Sequence, residues 1–405
     1  MKRFSCVLGA LLLLLATDTA YAQLTMQMPN GWGFTFSGNV NAFLDYEKEG
    51  TSGASNDAPF GVVKNNADQT RIQTGLLPAI AAFEAKGKEG NTDLAVHFGF
   101  FPEIQCGRGI HDCFGAQIDM RQVYLTAGGS WGQILAGREI GLYGRQNILT
   151  DQLLFGVGAT GAGGGALGSG GGTTLGRIGF GYIYPQFKAQ FTYSTPGGKP
   201  GQLSIGLFEA DAAALPGVAV SPYTKTNIPR VEAEFVYTKK EFKGWLGGLL
   251  QNTKNPSNNK SATATGVSGG LRWANKSVSL TGSGYYGKGV GTTLMFLGAS
   301  CTTGTCGSNG SNDLRTSYGY IGQLTYTTGK ATLAGSYGAS LIKDASAEAI
   351  AFKTENALAS GGVYYQTTKS LKLVFELNYA TTKDKDANSK KNSSFAPAVG
   401  MMLFF

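Results

Sequence analysis

The sequence predicts an all-β chain: a single transmembrane antiparallel β-barrel of sixteen strands. Three observations predict it. Segments of about ten residues alternate apolar with small or polar side chains, as a strand must when one face meets lipid and the other water. The breaks between these segments are alternately short and long, and the last segment runs to a terminal aromatic residue, Phe405.

The alternation is clearest from Leu371 to Tyr379, where Leu371, Leu373, Phe375, Leu377 and Tyr379 share one face and Lys372, Glu376 and Asn378 share the other. Val374 alone breaks the pattern. In the same way Val231, Ala233, Phe235 and Tyr237 oppose Glu232 and Glu234, and Tyr318, Tyr320, Leu324 and Tyr326 oppose Gln323 and Thr325. A soluble two-sheet sandwich could alternate too, so the connections must discriminate.

Seven breaks are short: Gly87 to Asn91, Gly128 to Gly132, Pro196 to Gly201, Thr238 to Glu241, Ala274 to Ser277, Thr328 to Lys330 and Thr368 to Ser370. Eight longer polar stretches lie around them, near residues 50–69, 103–117, 142–176, 211–228, 253–261, 289–314, 343–354 and 383–393. Outer-membrane barrels alternate short periplasmic turns with long outer loops in this way. Fifteen connections require sixteen strands, with both ends of the barrel chain on the short-turn side. The count takes Arg177 to Thr195 as one strand, with Pro185 either a bulge in it or a loop end, because proline is tolerated only at edges and irregularities. The final strand places Val399, Met401, Leu403 and Phe405 on one face, and Phe405 is expected to serve as an assembly signal.

At the other end, Lys2 and Arg3 precede a ten-residue apolar stretch, Val7 to Ala16, and then Ala20-Tyr21-Ala22. This pattern predicts a signal peptide over residues 1–22, leaving a barrel domain over 23–405. The apolar stretch is too short to span a bilayer as a helix, which takes about 20 residues. The net charge of +8 falls by one when Lys2, Arg3 and Asp18 leave. The remaining charges are scattered singly, without the basic cluster that nucleic acid would require. The 61 glycines against 12 prolines, with 23 Phe and 18 Tyr, read as sheet with close-packed backbones, since the aromatics recur inside the alternating segments.

Several motifs carry little. Gly156-Val157-Gly158-Ala159-Thr160-Gly161 spells the dinucleotide glycine fingerprint without the helix and acid that must follow it. Gly282 to Lys288 spells most of a phosphate loop, but Gly289 stands where Ser or Thr must hold magnesium. The chain has two histidines, His97 and His111. His97 shares a face with Ala95 and Gly99, which places it toward the lumen, and no catalytic partner accompanies it. Cys6 leaves with the signal peptide. The remaining cysteines form two close pairs, Cys106 with Cys113 and Cys301 with Cys306. In an oxidising compartment these read as two disulfides, and as metal sites only poorly, for want of histidine pairs. No metal, cofactor or enzymatic activity is expected.

With these features in place, the mature chain resembles the general diffusion porins of Gram-negative bacteria. Two stretches carry the local resemblance. Leu175-Gly176-Arg177-Ile178-Gly179-Phe180-Gly181 looks like the family's strand after its constriction loop. Arg121-Gln122-Val123-Tyr124-Leu125, with Ala136-Gly137-Arg138-Glu139-Ile140-Gly141, is similar to its fourth and fifth strands. The resemblance implies a homotrimer in the outer membrane, in contact with lipid and inserted by the barrel assembly machinery. Each barrel would be a water-filled channel for passive diffusion of ions and small hydrophilic solutes, with a substrate-selective channel for small anions as the second reading. It also implies a third loop folded into the lumen, facing a ladder of arginines. Arg71 on strand two, Arg121 on strand four and Arg177 at the start of strand six match that ladder, and Arg138 and Arg145 lie near it. Ile178, Phe180, Tyr182 and Tyr184 read as the apolar face of strand six, which would turn Arg177 the other way. The family's loop carries several acids. Here Ala159 to Gly172 is almost entirely Gly, Ala and Ser, and Asp151 is the loop's only acid. An Asp151 standing alone would leave the lumen positive and favour anions.

Overall fold

The computed structural model describes residues 24–50, 53, 68–104, 118–160, 173–211, 225–254, 256, 259–299, 314–346, 348, 353–385 and 390–405. Cys106, Cys113, Cys301, Cys306, His111 and the predicted signal peptide lie outside them. Sixteen antiparallel strands form one closed barrel. They are β1 Gly33–Glu49, β2 in two segments (Gln69–Gln73 and Ile80–Glu89), β3 Thr92–Pro102, β4 Ile118–Gly129, β5 Gly132–Ile140, β6 Phe187–Ser194, β7 Gly201–Phe208 and β8 Arg230–Lys239. The second half comprises β9 Phe242–Lys254, β10 Ser261–Ala274, β11 Val278–Lys288, β12 Thr316–Thr328, β13 Ala331–Lys343, β14 Lys353–Gln366, β15 Leu371–Asp384 and β16 Lys391–Phe404. Each strand pairs with the next, and β16 closes on β1, from Phe404 opposite Asn39 to Ser394 opposite Glu49. A short strand, Leu24–Gln27, continues that edge along Gly33–Phe36. Five of the seven short turns fall within the predicted breaks, and the other two, residues 195–200 and 367–370, begin one residue earlier.

The period-two pattern sorts side chains as lipid and lumen require. On β15, Leu373, Phe375, Leu377 and Tyr379 are exposed on the outside, while Val374, Glu376 and Asn378 are buried within. Val374 therefore breaks the sequence pattern because it belongs to the interior core. Leu246, Val267, Leu271, Leu280 and Leu324 contribute to an outward apolar band. Near the short turns this band carries exposed aromatic residues, among them Trp131, Tyr193, Tyr237, Trp273, Tyr326 and Tyr365. Such a girdle sits where a bilayer meets water.

Two elements depart from the expected regularity. Strand β2 is interrupted at residues 74–79, where Pro78, lacking an N–H, cannot continue the ladder. The freed backbone turns inward: the Asn41 amide donates to the Leu77 carbonyl (2.9 Å), the Asn39 amide donates to the Pro78 carbonyl (3.2 Å), and Leu76 and Leu77 become core. The sixth strand begins only at Phe187, so Pro185 stands at a loop end. Arg177 to Tyr184 is not strand. Gly176, Gly179 and Gly181 hold φ of 54°, 82° and 151°, which breaks an extended run, and Phe180 N–H bonds back to the Arg177 carbonyl (2.8 Å). The alternation of Ile178, Phe180 and Tyr182 misleads because all three are buried.

Candidate functional site

The described residues of the segment between β5 and β6, 141–160 and 173–186, lie inside the ring of strands. It holds a helical turn, α1 (Arg145–Leu149), followed by a 3-10 turn over Gln152–Phe155. Gly144, with φ of 78°, permits the sharp entry into α1. The Asp151 carboxylate caps the second turn by accepting from Leu153 N–H (3.0 Å), and it also accepts from the Tyr182 hydroxyl (3.0 Å).

Inward-facing wall residues hold this segment from several sides. Trp245 Nε1 on β9 donates to Asn147 (2.7 Å), and Gln323 on β12 bonds both Gln152 N–H (2.7 Å) and the Thr150 carbonyl (3.2 Å). Ser340 on β13 accepts from Gly181 N–H (2.9 Å). Glu376 on β15 accepts from Val157 N–H (2.9 Å) and Gly158 N–H (3.0 Å). The glycine fingerprint thus cradles an anion after all, but the anion is the protein's own carboxylate. Ile148, Leu153, Leu154, Val157 and Ile178 pack with Leu76, Phe43, Leu358 and Phe404 of the wall into one core.

The arginines expected to form one ladder have separate surroundings. Arg71, on β2, lies against Glu47 and 3.8 Å from Asp45. Arg121 pairs with Asp119 (2.6 Å) and lies 3.4 Å from the Tyr184 hydroxyl. Simple alternation would have put Arg121 with Val123 and Leu125 on the lipid face. The register between β3 and β4 shifts between Gly99 and Phe101, and this bulge re-aims Arg121 inward, as bulges do. Arg145, on α1, is buried against Glu234 (2.6 Å).

Two expectations need correction. Arg177 is not at the start of a wall strand. It belongs to the inner segment, is 0% exposed, and donates to the Leu358 carbonyl (2.8 Å) and the Ser336 hydroxyl on the far wall. Arg138 is exposed on the outer face of β5, the face that also carries Ile134, because the strand's period turns Leu135 and Glu139 inward. Among the predicted arginines, Arg71 and Arg121 keep 16% and 18% side-chain exposure inside the barrel, whereas Arg145 keeps 9%.

Asp151 does not stand alone either. Asp45, Glu47, Glu139, Glu232, Glu234 and Glu376 are buried acids of the inner wall, and several of them neutralise the arginines locally. Their signal was present in the sequence, since alternation places Glu232, Glu234 and Glu376 opposite the lipid-facing residues. His97 faces inward as expected, stacked on Tyr124 with ring centroids 4.9 Å apart.

Burial raises the Asp151 carboxyl to about 6, against the pull of nearby Arg177. A raised acid favours the docked segment at low pH: the contribution is complete below the ordinary value of 3.8 and is lost as pH rises through about 6. Lowering pH from 7.5 to 5 is therefore expected to steady the inner segment and reduce current noise in single-channel recordings. Asp151→Asn should show no such pH-dependent component, and equal noise changes in both proteins would contradict this assignment.

A family profile described as Gram-negative porin matches residues 9–386. No curated protein sequence matches the chain. Among solved structures, the outer membrane channel DcaP of Acinetobacter baumannii has a TM-score of 0.68 at 15% identity, covering 94% of this chain and 99% of that one. OmpF of Salmonella typhi, in complex with daunomycin, has a TM-score of 0.56 at 14% identity, covering 94% and 100%. OmpT of Vibrio cholerae in a trimer form has 0.53 at 11%, covering 93% and 100%. At these identities the likeness is one of fold.

Proposed function

Because the chain belongs to the Gram-negative porin family and is thereby an outer-membrane channel for passive diffusion, we propose that its solutes pass between the inner segment and the wall that carries Arg71 and Arg121. The observation behind this reading is that these two arginines keep exposure inside the barrel while Arg145 and Arg177 are sealed. Arg145, Asp151 and Arg177 then act by holding the inner segment in place. The pore carries ions and small polar solutes, and Arg71 and Arg121 supply positive charge along it that Asp45, Glu47 and Asp119 offset.

Unit charges ~6 Å apart at an effective dielectric of 20 interact by about 3 kcal/mol, enough to bias entry into a narrow passage. Salt weakens the bias, since screening reaches about 10 Å at 0.1 M. Replacing Arg71 and Arg121 together by serine should shift the reversal potential in a salt gradient toward cations. An unchanged reversal potential would place the narrowest point elsewhere.

The same reading includes export on a leader over residues 1–22, insertion by the barrel assembly machinery and lipid contact along the outward band. It also includes a homotrimer, supported by the family and by the trimer form of a structural neighbour. Cross-linking in mild detergent that stops at monomer would remove the trimer. The same reading takes the role as non-catalytic, in keeping with the family of channels.

A further inference from the structure

Passive diffusion leaves one feature of the interior without a task. Between the inner segment and the wall of β2 to β6 lies a narrow cleft that opens toward solvent. Leu77, Ile148, Leu154 and Ile178 give it an apolar lining, and Phe101, Tyr184 and Phe187 add three aromatic rings. Phe187 lies 6.1 Å from Phe101 and 6.3 Å from Tyr184, centroid to centroid. Among the described residues, Arg121 is the one charged member of the lining.

The guanidinium of Arg121 is held in a fixed pose. Its central carbon lies 5.4 Å from the centroid of the Phe101 ring, and Asp119 takes its Nε at 2.6 Å. Asp119 is 47% exposed, so water screens its charge, and Glu103 also acts on Arg121 from nearby; together they compensate the guanidinium in part. A cation that borders an apolar cavity is costly to desolvate unless an anion meets it. An apolar body and an anionic group on one small ligand would satisfy both halves of the cleft.

We propose that this cleft binds aromatic monocarboxylates. The carboxylate meets Arg121, whose planar fork suits it, with the Tyr184 hydroxyl 3.4 Å from Nη1 as a second polar group. The ring packs among Phe101, Tyr184 and Phe187 in the tilted and edge contacts that aromatic groups prefer. A second carboxylate on the ligand would find no cationic partner among the described lining residues, which is why one anionic group is specified. The proposal deepens the channel reading and rests on it, since the cleft lies inside the barrel.

The test is a planar-bilayer recording in potassium chloride with benzoate as the probe, each protein normalised to its own open-channel current. Benzoate is expected to reduce the current in a saturable way at concentrations where acetate and benzyl alcohol do not. Arg121→Gln should raise the half-blocking concentration by about tenfold or more, the loss of a charge-assisted pair, and Arg121→Lys should recover part of that loss. Phe187→Leu keeps bulk but removes a ring, and should weaken benzoate more than cyclohexanecarboxylate. Equal block by acetate, equal block by benzyl alcohol, or a half-blocking concentration unchanged in Arg121→Gln would each overturn the proposal. Should Arg121→Gln fail to fold, Phe187→Leu decides, and an unchanged benzoate block there overturns it as well. A folded protein that carries no chloride or potassium current would instead overturn the channel reading, so the two failures are distinguishable.

Discussion

A Glu376→Ala channel is expected to conduct about twofold or more current than the parent and to flicker between levels, because its inner segment loses its anchor on the far wall. Glu376 is fully buried and accepts from the backbone N–H groups of Val157 and Gly158 and from the Tyr364 hydroxyl. The Asn378 side-chain amide donates to it as well (3.3 Å), so its removal leaves four donors without that acceptor, and each buried unsatisfied group costs about 1–3 kcal/mol. That sum exceeds what the adjoining Leu76 N–H bond to the Gly156 carbonyl (2.8 Å) could offset. Glu376→Gln retains an acceptor oxygen and should have the smaller effect. Gly156→Ala offers an independent route to the same result, since a Cβ there would lie 1.7 Å from Glu376 Oε1 and the two groups could not both stay. Parental conductance and noise in both Glu376→Ala and Gly156→Ala would show that the segment is held without Glu376, by its apolar core and its other wall contacts.

Deleting Phe405 is expected to lower the amount of protein at the cell surface by about tenfold or more, because an open edge in lipid costs several kcal/mol per unpaired backbone group. The terminal residue completes the seam: its N–H donates to the Gly38 carbonyl (3.0 Å), Gly38 N–H donates to its carbonyl (2.8 Å), and its ring lies 5.1 Å from that of Phe36. Phe405→Tyr should assemble. Refolding into detergent separates two causes. A deleted protein that refolds in vitro yet fails in cells has lost a signal read by the assembly machinery, whereas one that fails in both has lost the seam itself. Parental surface levels of the deletion would count against any assembly role.

The membrane-facing half of the molecule was legible from sequence because it obeys a local rule. A strand between lipid and water must alternate, so Phe375, Leu377 and Tyr379 could be assigned to the outside and Glu376 and Asn378 to the inside without knowing their neighbours. Turns interrupt that rhythm, and their count gave the strand number and the closed topology. The interior obeys no such rule, since its surroundings come from chain segments far apart in sequence. Arg121 faces the lumen only because a bulge shifts its register, and Arg138 faces outward although its motif resembles the family's. Arg177 reads as a wall residue until three glycines at positive φ turn its segment inward, where residues more than 150 positions away receive its hydrogen bonds. By itself the sequence determined the barrel, its membrane and its strand order, because these depend on the periodicity of single strands. Tertiary structure alone decided which charges stay exposed inside the barrel and which are sealed, because that depends on how the segment between β5 and β6 packs against the opposite wall.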